Sequence, residues 1–166
     1  MSPMKRHFAK FALLACSSLA LAACGQQSGK SGAQAEDTPE QQAFEFRDGL
    51  MRAISWKVGR LRGMAQGDIP VDDAAALKDA RDVATLAGMI PEGFIPNSIV
   101  KGSAALPDIW MNLADFKQKA ADLQMNATAL ADASQANGFA AAKGMVQAVG
   151  QSCGACHRPY RKRQEE

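Results

Sequence analysis

From about residue 40 onward, apolar positions recur at alternating steps of three and four, the spacing that gathers side chains onto one face of an α-helix. Phe44, Met51, Ile54, Val58, Leu61 and Ala65 form a first stripe, in which Arg47 is the only charge. A second stripe of smaller residues, Leu77, Ala80, Ala84 and Ala87, lies between about Asp72 and Gly88. A third carries Ile109, Leu113, Phe116, Ala120, Leu123, Ala127 and Leu130 between about Leu106 and Ser134. A fourth follows Asn137-Gly138 and reads Phe139, Ala142, Val146, Val149, Cys153, Cys156, Tyr160. Thr38 and Pro39 suit the N-cap and first position of the first helix. With no strand-period alternation, four single-faced helices predict an all-α fold, an antiparallel up-down four-helix bundle. The connection from Met89 to Ala105 holds Pro91, Gly93, Pro96 and Gly102, so it is not helical throughout. A loop of that length in a compact bundle covers something.

Composition agrees with a single globular domain: 166 residues, 47% hydrophobic, 22% charged, few aromatics and much alanine. A formal charge of +2 on this length argues against a nucleic-acid polyanion as partner. The N-terminus changes the arithmetic. Lys5, Arg6 and Lys10 precede an apolar run from Phe11 to Ala23, too short for a membrane span, which reads as an export signal. It ends Leu21-Ala22-Ala23-Cys24, which resembles the bacterial lipobox, where cleavage precedes a cysteine that takes a diacylglycerol. The alternative is a plain signal peptide cut nearby. On the lipobox reading, residues 1–23 are a lipoprotein signal peptide and 24–39 a Gly/Ser/Gln-rich tether from lipidated Cys24. Residues 40–166 are then the folded domain. Cys24 precedes Gly25 rather than Asp, so the resemblance favours the outer membrane, with a soluble periplasmic protein if the lipobox is unused. Removal of residues 1–23 leaves 143 residues with a charge of −1, and Cys16 and His7 leave too.

Cys153-Gly154-Ala155-Cys156-His157 is the motif that carries chemistry. On a helix the cysteines stand at i and i+3 and the histidine at i+4, so all three side chains leave one face. Two thiols at that spacing can add to the two vinyl groups of a haem while the imidazole meets the iron. The same cysteines lie on the helix's apolar seam, which puts the haem inside one end of the bundle. Structural zinc wants four ligands, and the mature chain offers three here. A thioredoxin-like CxxC wants a strand–helix setting that the pattern lacks, and a simple i, i+3 disulfide is left only if haem attachment fails. His157 is the one histidine of the mature chain, and no Met or His follows it. A sixth iron ligand must therefore come from Met51, Met64, Met89, Met111, Met125 or Met145. Met51, on the first seam, is the best placed, although methionine is also a common core filler.

These residues resemble the class II c-type cytochromes, the cytochrome c′ group with its low-spin His/Met members. The resemblance covers roughly residues 40–164. It rests on Phe46-Arg47-Asp48-Gly49-Leu50-Met51, on Ile109-Trp110 with Phe116-Lys117, and on the CxxCH motif followed by Tyr160-Arg161. It implies one covalent haem c on Cys153 and Cys156, His157 as proximal iron ligand and Met51 on the distal side. It implies Arg47 at the haem edge, able to pair with a propionate, Arg161 near the proximal imidazole, and Ser98 and Ile99 of the long loop near the haem. Pro159 departs from the family, whose helix continues there, and predicts a kink or an end at Arg158.

The function expected is one-electron transfer in the bacterial envelope, with redox proteins as partners, a lipid anchor to the membrane and a homodimer formed through the first two helices. The alternative is a five-coordinate haem protein that binds NO or CO, and a third reading is an adaptor lipoprotein without redox work. No general base, nucleophile triad or phosphate-cradling loop is present, so no enzyme is expected.

Overall fold

The protein is described by a computed structural model over residues 38–163. Helix α1 (Pro39–Gln66) starts where Thr38 Oγ1 accepts the Gln41 N–H at 3.2 Å, and Pro39 fills the first turn. It stops at Gly67, whose φ of 86° suits only a residue without Cβ. Helix α2 (Asp73–Met89) is capped by the Asp72 carboxylate, which accepts the Ala75 N–H at 3.0 Å. A 3₁₀ turn (Ile90–Gly93) follows, and then the long connection.

The third and fourth stripes are each interrupted, which the periodicity does not predict. A single turn, α3 (Asp108–Met111), breaks at Asn112 before α4 (Leu113–Asn137). The break rotates Leu113 off the apolar face, leaving it 38% exposed. The last segment opens with one turn, α5 (Phe139–Ala142), then a 3₁₀ turn (Lys143–Met145), before α6 (Val146–Tyr160). Pro159 does not end α6 at Arg158. The helix runs on to Tyr160, and the Arg161 N–H returns to the His157 carbonyl at 3.1 Å. Pro159 stands one residue before the helix ends, and its missing N–H forfeits a single intrahelical hydrogen bond, the one to the Ala155 carbonyl.

Helices α1, α2, α4 and α6 form the four-helix bundle, and among the described residues no helix is long and apolar enough to cross a membrane. Leu61, Val83, Leu130, Phe139 and Val149 fill its middle and the end near α5. Each such side chain contributes about 1.5–3 kcal/mol when fully buried. On α2 the buried seam is Ala76, Ala80, Val83 and Ala87, and small residues let α4 lie close. Asp79 interrupts that seam at 2% exposure, held by Lys57 Nζ at 2.8 Å and Arg60 Nε at 2.7 Å, which ties α2 to α1. The chain's exit crosses to the long connection: the Leu106 N–H donates to the Tyr160 carbonyl at 3.0 Å and the Lys162 N–H to the Ala104 carbonyl at 2.8 Å. Ala105 and Arg161 thereby form an antiparallel bridge.

Candidate functional site

A cavity of about 550 Å³ opens at the end of the bundle where α1 begins and α6 ends. Met51 and Arg47 of α1, Cys153, Cys156 and His157 of α6, and Arg161 just beyond it all line this one space. Its walls are otherwise mostly apolar: Ile54, Val58, Ile90, Phe94, Ile109 and Phe116 among them. The long connection supplies Gly102 to Ala105 as a further wall. Ser98 and Ile99, expected near the haem, do not line the cavity; Ser98 is fully buried behind its wall against Arg47, and Ile99 is 37% exposed.

Both thiols are free and half-buried against the core. Cys153 Sγ donates to the Val149 carbonyl at 3.3 Å. Burial pushes both thiols up, Cys156 to about 11, which favours the protonated form. His157 is exposed at the mouth. Shielding of its ring and then the nearby Arg161 guanidinium push its imidazole below the ordinary value, which favours the neutral form that ligates metals. Among the described residues no three His, Cys, Asp or Glu side chains converge on one point.

Arg47 does more than stand at an edge. It is 5% exposed, and all four of its terminal N–H donors are spent on the long connection. Nη1 donates to the Gly93 carbonyl at 2.8 Å and Ser98 Oγ at 3.1 Å, Nη2 to the Ser98 carbonyl at 2.5 Å and Ser103 Oγ at 3.0 Å. Its guanidinium also sits over the Phe44 and Phe94 rings, 5.3 and 5.1 Å from their centroids. Burial lowers its pKa, but an arginine stays charged in any protein. Gly93 makes the approach possible, since a Cβ there would lie 2.7 Å from Arg47 Cβ. Reading the chain for chemistry misses this clamp; its trace is one cation on an apolar stripe and two serines in a Pro/Gly-rich loop.

On the α6 side, Phe94, Phe116 and Tyr160 stack edge-to-face at 4.7 and 5.5 Å. The Tyr160 phenol donates to the Asp115 carboxylate at 2.5 Å, which pushes the phenol to about 12 and the carboxyl down. Tyr160 thus pins the end of α6 to the start of α4 beside the thiols.

The sequence profile of the family described as Cytochrome C′ matches residues 42–161. The chain belongs to this family. A cytochrome c-556 from Agrobacterium tumefaciens (strain II Chrys) is 40% identical over 120 residues, 70% of this chain and 94% of that protein. A cytochrome c′ from Alcaligenes xylosoxydans xylosoxydans is 31% identical over 73% of this chain and 94% of its own length. Among solved structures, cytochrome c prime from Shewanella frigidimarina superposes with a TM-score of 0.71 at 33% identity, covering 78% of this chain and all of that one. The cytochrome c′ fold carries a covalent haem c, and the residues here fit one. Two free thiols at CxxCH spacing face an apolar cavity that opens at the bundle's end, with a neutral imidazole beside them.

Proposed function

We propose that the chain is a one-electron carrier of the bacterial envelope, with His157 and Met51 as the two axial ligands of its haem. Bound through thioethers to Cys153 and Cys156, the haem supplies the ferric–ferrous couple. The observation that supports this reading is that Met51, on α1, lines the same cavity as the thiols and His157 on α6. A thioether ligand opposite an imidazole raises the potential and fills the coordination shell, so little rearranges on electron transfer. Arg47 serves by holding the loop wall, and its terminal donors are committed to that loop; Arg161 lines the mouth beside His157. Optical spectra test the reading. A low-spin ferric spectrum with a methionine-to-iron band that Met51→Ala abolishes is expected; a high-spin spectrum unchanged by that substitution overturns it.

The second reading, NO or CO binding to a five-coordinate iron, draws on a solved neighbour. That structure is a nitric oxide complex of a cytochrome c prime variant from Alcaligenes xylosoxidans, with a TM-score of 0.67 at 30% identity over 75% of this chain and 97% of that one. In that reading Met51 only crowds the distal face, and CO shifts the ferrous spectrum of the unsubstituted protein. Neither reading calls for an enzyme.

The lipid anchor at Cys24, the signal over 1–23 and the tether lie outside the described residues. The lipobox supports export with attachment to the outer membrane, checked by mass spectrometry of the mature N-terminal peptide. A homodimer is supported by the outer face of α1, where Trp56 is 68% exposed beside Gly59, Gly63 and Ile69. Sedimentation of the unsubstituted protein and of Trp56→Ser checks it.

A further inference from the structure

The charge of the whole chain hides an uneven surface. Between Asp132 and Glu165 the sequence contains no acid, and it holds Lys143, Arg158, Arg161, Lys162 and Arg163. The last four stand in or just after the final turn of α6, next to His157, and all four are exposed. None of them is ion-paired with a described acid. Glu165 and Glu166 follow them outside the described residues.

Two further cations flank the same helix. Arg62 of α1 reaches α6 at Gly150, where a Cβ would lie 3.4 Å from its Nη2, and Arg158 lies against Gly154, where a Cβ would lie 3.2 Å from its Nη1. Gly150 and Gly154 are one turn apart, so two guanidiniums rest on a strip of helix with no side chains of its own. Lys119 of α4 is paired with Asp115 at 3.2 Å and, like Arg62, lines the cavity, so these two add positive charge behind the exposed cluster and are not part of it. Residues 153–156 are only half-buried, and His157 beside them is exposed, so the motif lies close to solvent next to these cations.

We propose that the exposed exit of α6, bearing Arg158, Arg161, Lys162 and Arg163, is the docking surface for an acidic redox protein. The inference rests on the electron-transfer reading and adds where the electron leaves and what kind of partner takes it. Clustered cations over a thinly covered redox centre steer an anionic partner and orient it on encounter, whatever the sign of the whole molecule's charge. That sign is the discriminating point. The mature chain is formally −1, so its overall charge repels an anion while the local patch attracts one.

The test uses the haem-loaded protein in stopped flow with two probes: a strongly acidic [2Fe–2S] ferredoxin as donor and the tris(phenanthroline)cobalt(III) cation as acceptor. Raising salt from low to several hundred millimolar is expected to slow the ferredoxin reaction about tenfold or more and to speed the cobalt reaction. The pair Arg158→Glu with Arg163→Glu, neither of which lines the cavity, is expected to slow the ferredoxin reaction at low salt about tenfold while haem content and spectra stay unchanged. A ferredoxin rate indifferent to both salt and substitution, with the cobalt reaction intact, overturns the docking surface and leaves the carrier standing. Failure to exchange electrons with either probe overturns the carrier itself. Substitution-sensitive binding to phosphatidylglycerol vesicles with an unaltered ferredoxin rate assigns the patch to the membrane and overturns the proposal.

Discussion

The two ends of this bundle are built by different physics. At the end near α5, the chain turns tightly and apolar side chains meet: Leu61, Leu130 and Phe139 are fully buried, and the helices hold one another by packing. At the mouth, the bundle opens into a cavity, and what keeps the wall in place is a buried cation with its carbonyl and hydroxyl partners. A packed end tolerates little loss of volume, and its charged contacts, the Asp73 carboxylate on the Phe139 N–H and Asp79 between Lys57 and Arg60, fasten helices that already meet by packing. The mouth trades packing for room, and each of its polar contacts is then costly to remove, because the group left behind is buried and unpaired. Space for a cofactor is thus made by substituting directional bonds for packing.

That contrast can be broken from either side. The largest effect expected is at the mouth's chemistry: Cys153→Ala with Cys156→Ala abolishes covalent haem, read as loss of haem colour on the protein band after denaturing electrophoresis. Next comes Phe139→Ala at the packed end, expected to cost about 3–5 kcal/mol in denaturant unfolding while leaving the haem spectrum alone. Arg47→Ala follows at about 3 kcal/mol, from orphaned acceptors on Gly93, Ser98 and Ser103. Unlike the Phe139 change, it is expected to alter the haem spectrum, and Arg47→Lys does not restore it, because an ammonium cannot reach four acceptors in a plane. Loss of stability without any spectral change in Arg47→Ala would erase the distinction drawn between the two ends.

The smallest effect concerns Tyr160. The Asp115 carboxylate raises its phenol from 10.0 to about 12, so the folded state holds the proton over a range where the unfolded chain has lost it. The contribution of this phenol to stability is therefore constant below pH 10 and is lost as the pH rises towards about 12. Tyr160→Phe lacks that step, which alkaline melting curves of the two proteins compare.

How much of this was legible beforehand divides along the same line. Packing leaves a periodic trace, so the four seams, the Thr38 cap and the all-α bundle can be read from spacing alone. The CxxCH triplet is equally plain because its geometry is local, and the cavity brings together Met51, Arg47 and the motif. Irregular structure leaves no period. The apolar stripe runs straight through Asn112 and conceals the break there. Ser98 and Ile99 stand outside the cavity lining because Arg47 draws Ser98 behind the wall, a contact between a helix and a distant loop that leaves no periodic trace. Pro159 misleads because it comes one residue before the helix ends, so the single bond it forfeits, to the Ala155 carbonyl, does not stop the final turn from forming.

The bridge between Ala105 and Arg161 bears on where this domain stops. By ligands alone, a fragment ending at His157 is complete, and the basic residues after it look like a dispensable tail. Yet the Lys162 N–H and the Tyr160 carbonyl are the stitches that close the loop wall. A truncation before residue 162 would keep all the cofactor chemistry and leave the wall's seam half sewn, so the smallest autonomous unit ends at the hem and not at the metal.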